Sequence, residues 1–210
     1  MMFCPYGTPM NPGRWLLPLL LLSGCAAAPP PAEAGRATPS FQHLAVRDDG
    51  IVTRNAILLR VSAEPSFRAT TASHRIAEFG GHPFEVSLAA LLGEGEAVMV
   101  HAERVTDGSG ASNYDNLPRA GWPDGRFGLR TMCAAIDHAT VESEHDLGFL
   151  ARNGWNPEGS LALEQYLANT PAHDQEVVVS LVARVPGCAD AAQVQAALRR
   201  LRDRVRVTAE

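Results

Sequence analysis

Seven histidines and twenty-three Asp and Glu residues supply enough side chains for acid–base or metal chemistry, so their spacing is the first question. His101 and Glu103 lie two apart in EAVMVHAERV (Glu96 to Val105), whose alternation predicts a strand with Val98, Val100 and Ala102 on its apolar face. Two apart on a strand means one face, which suits a ligand pair or an acid–base couple. A metal needs at least a third ligand, and neither an HExxH nor a Cys/His cluster supplies it. The pair is therefore expected on a polar, solvent-facing strand edge. Glu144, His145 and Asp146 are consecutive, so on a helix they diverge, and their expected role is charge at a helix N-terminus. Asp107, Ser109, Asn113 and Asp115 are spaced like part of a calcium loop, but the sixth position lacks Gly and the twelfth lacks Glu. No GxSxG elbow, SxxK or Gly-Lys-Ser/Thr loop is present. No metal and no cofactor is expected.

Recognition chemistry has one better candidate. Thr106 to Gly125 is dense in Gly, Asp, Asn and Pro and reads as a long loop. In and just beyond it, Tyr114, Trp122 and Phe127 accompany Arg119, Arg126 and Asp124, a composition common at binding surfaces. A loop mounted on a rigid sheet often carries function. The same aromatics could instead fold back and plug the edge of the core. Trp155 would join them if it lay nearby. Arg199, Arg200, Arg202 and Arg204 crowd the C-terminal half of the last predicted helix, where the dipole favours cations. Contact with acidic envelope polymers or lipid headgroups is the alternative reading.

The elements that would position these residues follow from pattern. Gly50 to Glu64 reads as a strand, paired with HLAVRD across Asp49-Gly50. Ser73 to Leu92 reads as strand, turn at Gly80-Gly81, then strand or short helix. Arg126 to Asp137 and Gln175 to Gly187 read as strands. SEHDLGFLARNG reads as a helix capped by Ser143 and closed by Gly154, and PEGSLALEQYLANTP as a second, capped by Ser160. Asp190 caps a third, with Ala191, Val194, Ala197, Leu198 and Leu201 on one face. Strands first and helices late predict an α+β fold: an antiparallel sheet with two or three helices, mostly in the C-terminal half, packed on one face.

The N-terminal region sets the address. Leu16 to Leu22 is too short to span a bilayer, which takes about 20 apolar residues. Arg14, the apolar run and the small residues after it have the layout of a secretory signal. Met10 offers a start that gives this signal a compact form. Leu22-Ser23-Gly24-Cys25 resembles the lipobox of bacterial lipoproteins. That resemblance, confined to the signal and the first tether residues, implies cleavage before Cys25 and its acylation into the lipid bilayer. Ala26, where an Asp would favour inner-membrane retention, implies the periplasmic side of the outer membrane. The expected organisation is a signal peptide over 1–24, a lipid anchor and Pro/Ala-rich tether over 25–40, and one globular domain over 41–210.

Within that domain Cys133 and Cys188 form an even pair in an exported chain and read as a disulfide. All eighteen basic residues are Arg, and the formal net charge of −5 argues against nucleic acid as a partner. The leading expectation is a non-enzymatic accessory or scaffold lipoprotein that binds an envelope protein. A periplasmic domain for a small ligand or polymer, with an apolar pocket under the Tyr114 to Phe127 lip, is the alternative. A hydrolase built on His101, Glu103 and Asp107 ranks third and requires those side chains within hydrogen-bond reach of one another.

Overall fold

A computed structural model of the chain describes residues 40–47 and 50–210. Cys25, the signal, nearly all of the tether, and Asp48 and Asp49 lie outside the described residues. Strands β1 (Leu44–Arg47), β2 (Gly50–Thr53), β3 (Leu59–Ala63) and β11 (Val205–Ala209) form a four-stranded antiparallel sheet in the order β1-β2-β3-β11. The larger sheet is built on β6 (His82–Leu92). Its one side carries β4 (Arg68–Ala69) and β5 (Ser73–Phe79), and its other side continues through β7 (Glu96–Val105), β10 (Gln175–Arg184), β9 (Gly159–Asn169) and β8 (Gly128–Ile136). Every pairing in it is antiparallel. Helices α1 (His138–Ser143), α2 (His145–Arg152) and α3 (Ala191–Asp203) complete the described elements.

The expected α+β class is therefore overturned. Strand dominates, in two antiparallel sheets with three short helices, and the fold is all-β-like. Much of the error lies in Gly159–Asn169, predicted as a helix capped by Ser160 and found as β9. Its Leu, Ala, Glu and Gln are good helix formers. Yet Ala162, Tyr166 and Ala168 enter one core while Leu161 and Leu163 reach the other. A strand covered on both faces loses the polar–apolar alternation that would identify it.

One core lies between the sheets, where Ile51, Leu59 and Val61 meet Val98, Val100, Val177, Val179 and Leu181. Val194, Ala197, Leu198 and Leu201 of α3 enter the same core. On the opposite face of the large sheet, Leu88, Ala90, Met99 and Val182 are covered by Val141 of α1, by Leu147, Phe149 and Leu150 of α2, and by Trp155. The helices thus divide between the two faces, which corrects their expected placement on one. Asp190 caps α3 as predicted, accepting from Gln193 N–H at 3.0 Å. Ser143 does not cap α2 as expected: it is the last residue of α1, which Asp137 caps by accepting from Thr140 N–H at 2.8 Å. α2 starts after Glu144, whose side chain makes no capping bond.

Two local features fix neighbouring elements. Gly50 has φ 147°, and a β-carbon there would sit 2.3 Å from the Val61 carbonyl oxygen, so only glycine permits β2 to approach β3 this closely. Cys133 of β8 is bonded to Cys188, in the connection between β10 and α3, with Cα atoms 5.6 Å apart.

Candidate functional site

Antiparallel register decides which polar side chains meet on the helix-covered face of the large sheet. Opposite His101 stand Leu88 of β6 and Val178 of β10; opposite Glu103 stand Val86 and Glu176. Because β7 is a central strand, His101 and Glu103 are buried, at 8% and 4% exposure. The expected solvent-facing edge is corrected: α2 and the loop after β7 cover this face.

His101 Nδ1 lies 2.9 Å from Glu103 Oε1, and its Nε2 stands 3.4 Å from Asp146 Oδ2. Asp146 itself projects from the first turn of α2, with Arg75 of β5 at 4.0 Å. Of the three consecutive residues Glu144, His145 and Asp146, only the last reaches this site, so the expectation that the trio serves only as helix-end charge fails for Asp146. Burial disfavours the imidazolium, but Asp146 and Glu103 outweigh it and raise His101 to about 9. Burial likewise opposes the Asp146 charge, and His101 overrides it, holding that carboxyl below its ordinary range.

Glu176 extends the cluster. Burial, then the Glu103 charge across the strands, push its carboxyl up, while Ser112 and Tyr114 of the covering loop pull the other way. Burial, then Glu176, raise the Tyr114 phenol in turn. Four enclosed polar atoms without a hydrogen-bond partner lie in this one region: Arg75 Nε, Ser112 Oγ, Asp146 Oδ1 and Glu176 Oε2. The sequence signal for Glu176 was a lone carboxylate heading the apolar run VVVSLV, in register with Glu103 only once the strands are paired.

Chemically the arrangement is a buried ion network without a nucleophile. With both nitrogens facing carboxylates, a protonated His101 has no lone pair to accept a proton from a substrate or a serine. Asp107 is not part of it: its Oδ2 meets His82 Nδ1 at 2.8 Å, and hydrogen bonds from Ser109 and His82 hold its carboxyl at about 2. The other loop carboxylate, Asp115, pairs with Arg119 at 3.4 Å. Among the described residues no group of three or more His, Cys, Asp or Glu side chains is placed to hold a metal ion.

The five residues expected to form a binding surface separate into two kinds. Phe127 is fully enclosed in the inter-sheet core, and Trp122 packs edge-on against Tyr166 at 4.6 Å. Tyr114 turns inward to Glu176. Arg119 and Arg126 remain at the surface; Arg119 Nη1 donates to Arg126 O at 2.8 Å, and Arg126 pairs with Asp124. Under Trp122, Tyr166 O–H donates to Glu164 at 2.6 Å, and Arg202 of α3 donates to both Glu164 oxygens at 2.8 and 2.9 Å. Arg204 pairs with Glu64 and Glu96 and lies over the Phe67 ring. Two of the four clustered arginines are thus structural fasteners. A shallow depression of about 400 Å³ is lined by Gly93, Glu94, Gly95, Gly154, Trp155, Asn156 and Arg184, whose guanidinium is bonded to the Asn156 and Glu158 carbonyls.

No known protein family, curated protein or solved structure matches the chain.

Proposed function

We propose that this chain is an outer-membrane lipoprotein, anchored through Cys25 on the periplasmic side, whose domain binds an envelope protein partner and performs no chemistry of its own. The observation that carries the non-catalytic half is His101: the best-placed acid–base group in the described residues has both ring nitrogens committed to Glu103 and Asp146. For the binding half, support comes from the loop after β7, whose aromatics pack inward and leave Arg119 and Arg126 displayed on a braced surface. Each arginine is paired with a loop aspartate, Arg119 with Asp115 and Arg126 with Asp124. This rigid surface therefore suits a folded partner with a mixed-charge patch that re-pairs them.

In-cell crosslinking of the tagged full chain, followed by mass spectrometry, tests this reading. One stoichiometric envelope partner is expected, lost in an Arg119→Glu/Arg126→Glu variant that retains its fold. Persistence of the same crosslink in that variant would move the surface elsewhere, and the absence of any partner would end the reading. Anchoring is tested separately: Cys25→Ala should leave the membrane fraction.

A further inference from the structure

Sheet edges offer unpaired backbone donors and acceptors, and most edges of this fold are short or covered. β1, β11 and β4 span four, five and two residues. The start of β8 is bonded by the preceding loop, Leu129 N–H donating to Pro118 O at 2.8 Å. β5 is different. Its seven residues pair with β6 without a bulge from Ser73–Leu88 to Phe79–His82, and it contains no proline. Among the described residues no strand pairs with its outer edge. Of three large hydrophobic side chains exposed among those residues, two are here: Ile76 at 61% and Phe79 at 42%.

In an antiparallel register centred on Ile76, SHRIAEF sets an apolar pair between two His–Glu pairs. About a two-fold axis through Ile76, an antiparallel copy places Ile76 opposite Ile76, Arg75 opposite the partner's Ala77, and His74 opposite the partner's Glu78. His74 is prepared for that contact. Ser87 Oγ accepts from His43 N–H at 3.0 Å and lies 2.8 Å from His74 Nδ1. In the tautomer whose Nδ1 accepts from the Ser87 hydroxyl, the His74 ring proton sits on Nε2 as a donor for a carboxylate. Phe41, edge-on to His74 at 6.3 Å, lies beside the same ring.

We infer that β5 is a self-association strand, joining the large sheets of two copies of this chain edge to edge through Ile76. The inference does not rest on the partner-binding reading, which uses Arg119 and Arg126.

The test is register-specific disulfide trapping with the full chain in detergent. Facing residues on paired strands have β-carbons about 4.5–5.5 Å apart, close enough for a bond after small adjustment. Ile76→Cys should give a disulfide dimer under mild oxidation. Glu78→Cys alone should stay monomeric, while Glu78→Cys mixed with His74→Cys should give the heterodimer. Failure of Ile76→Cys to crosslink, or equal crosslinking of Glu78→Cys alone, overturns the proposal. A second measurement avoids cysteine altogether: Ile76→Lys, at an exposed site, should shift the sedimenting mass from dimer to monomer, and an unchanged mass overturns it too.

Discussion

Glu176 of β10 stands directly opposite Glu103 of β7, two buried carboxyls on neighbouring strands facing the same side of the sheet. Burial, and then the like charge of Glu103, push the Glu176 carboxyl above its ordinary range. A carboxyl raised in the folded state binds a proton more tightly there than in the unfolded chain. Its contribution therefore falls as pH rises above the ordinary glutamate range. Glu176→Gln, which keeps the neutral shape, should flatten that decline in a pH series of thermal melts and leave stability at pH 4 within about 0.5 kcal/mol.

His101 gives a second pH limb. Its raised imidazolium contributes fully below the ordinary 6.5 and loses that contribution as pH climbs through about 9. Asp146, held low, acts oppositely, its contribution present above the ordinary aspartate range and lost in acid. His101→Leu should strand Glu103 and Asp146, costing about 3–5 kcal/mol at neutral pH and less in acid. Denaturant unfolding at pH 4.5 and 7.5 measures the difference.

Glu164 and Arg202 form a pair whose two halves should not add. Glu164 is 2% exposed and Arg202 caps it with both bonds from one nitrogen. Arg202→Leu alone should cost about 3–5 kcal/mol by leaving a buried charge, whereas Glu164→Leu/Arg202→Leu should recover most of it. A double-mutant cycle on chemical denaturation checks this.

The loop after β7 predicts its own division of labour. Phe127→Ala should destabilise by about 3–5 kcal/mol, and Arg126→Ala should change stability by less than about 0.5 kcal/mol. Equal losses would mean that Arg126 is structural and unsuited to recognition.

Reducing the Cys133–Cys188 bond frees a loop of 55 residues, worth about 4 kcal/mol in the chain-entropy account. Cys133→Ala/Cys188→Ala should melt well below the native chain without reductant and be insensitive to it.

The strands with polar or turn punctuation were legible from sequence: β7 at Glu96–Val105, β10 from Gln175, and the β5–β6 hairpin, whose Gly80 and Gly81 both take positive φ. The capped helix α3 was legible for the same reason, because local chemistry at Asp190 specifies its start. β9 was not, because burial on both faces erased its period. Nor was β11, whose VRVTA is a brief alternation directly after a helix with no glycine to announce the break. In the site, His101 and Glu103 were visible as a same-face pair. Asp146, Glu176 and Arg75 were not, since they converge only through strand register and helix docking, which no spacing in the chain encodes.

The small sheet is made of the domain's first three strands and its last one, β11 completing the outer edge of β3 from Ala63–Val205 to Leu59–Ala209. Two segments far apart in sequence therefore share one layer, and the pairing of β3 with β11 closes a loop that contains the whole large sheet. A pairing this distant in sequence carries a large loop-closure entropy, so this layer is costly to form before the large sheet is in place. Without β11 every strand of the large sheet would keep its partners, while the outer edge of β3, beside Leu59 and Val61 of the core, would stand open.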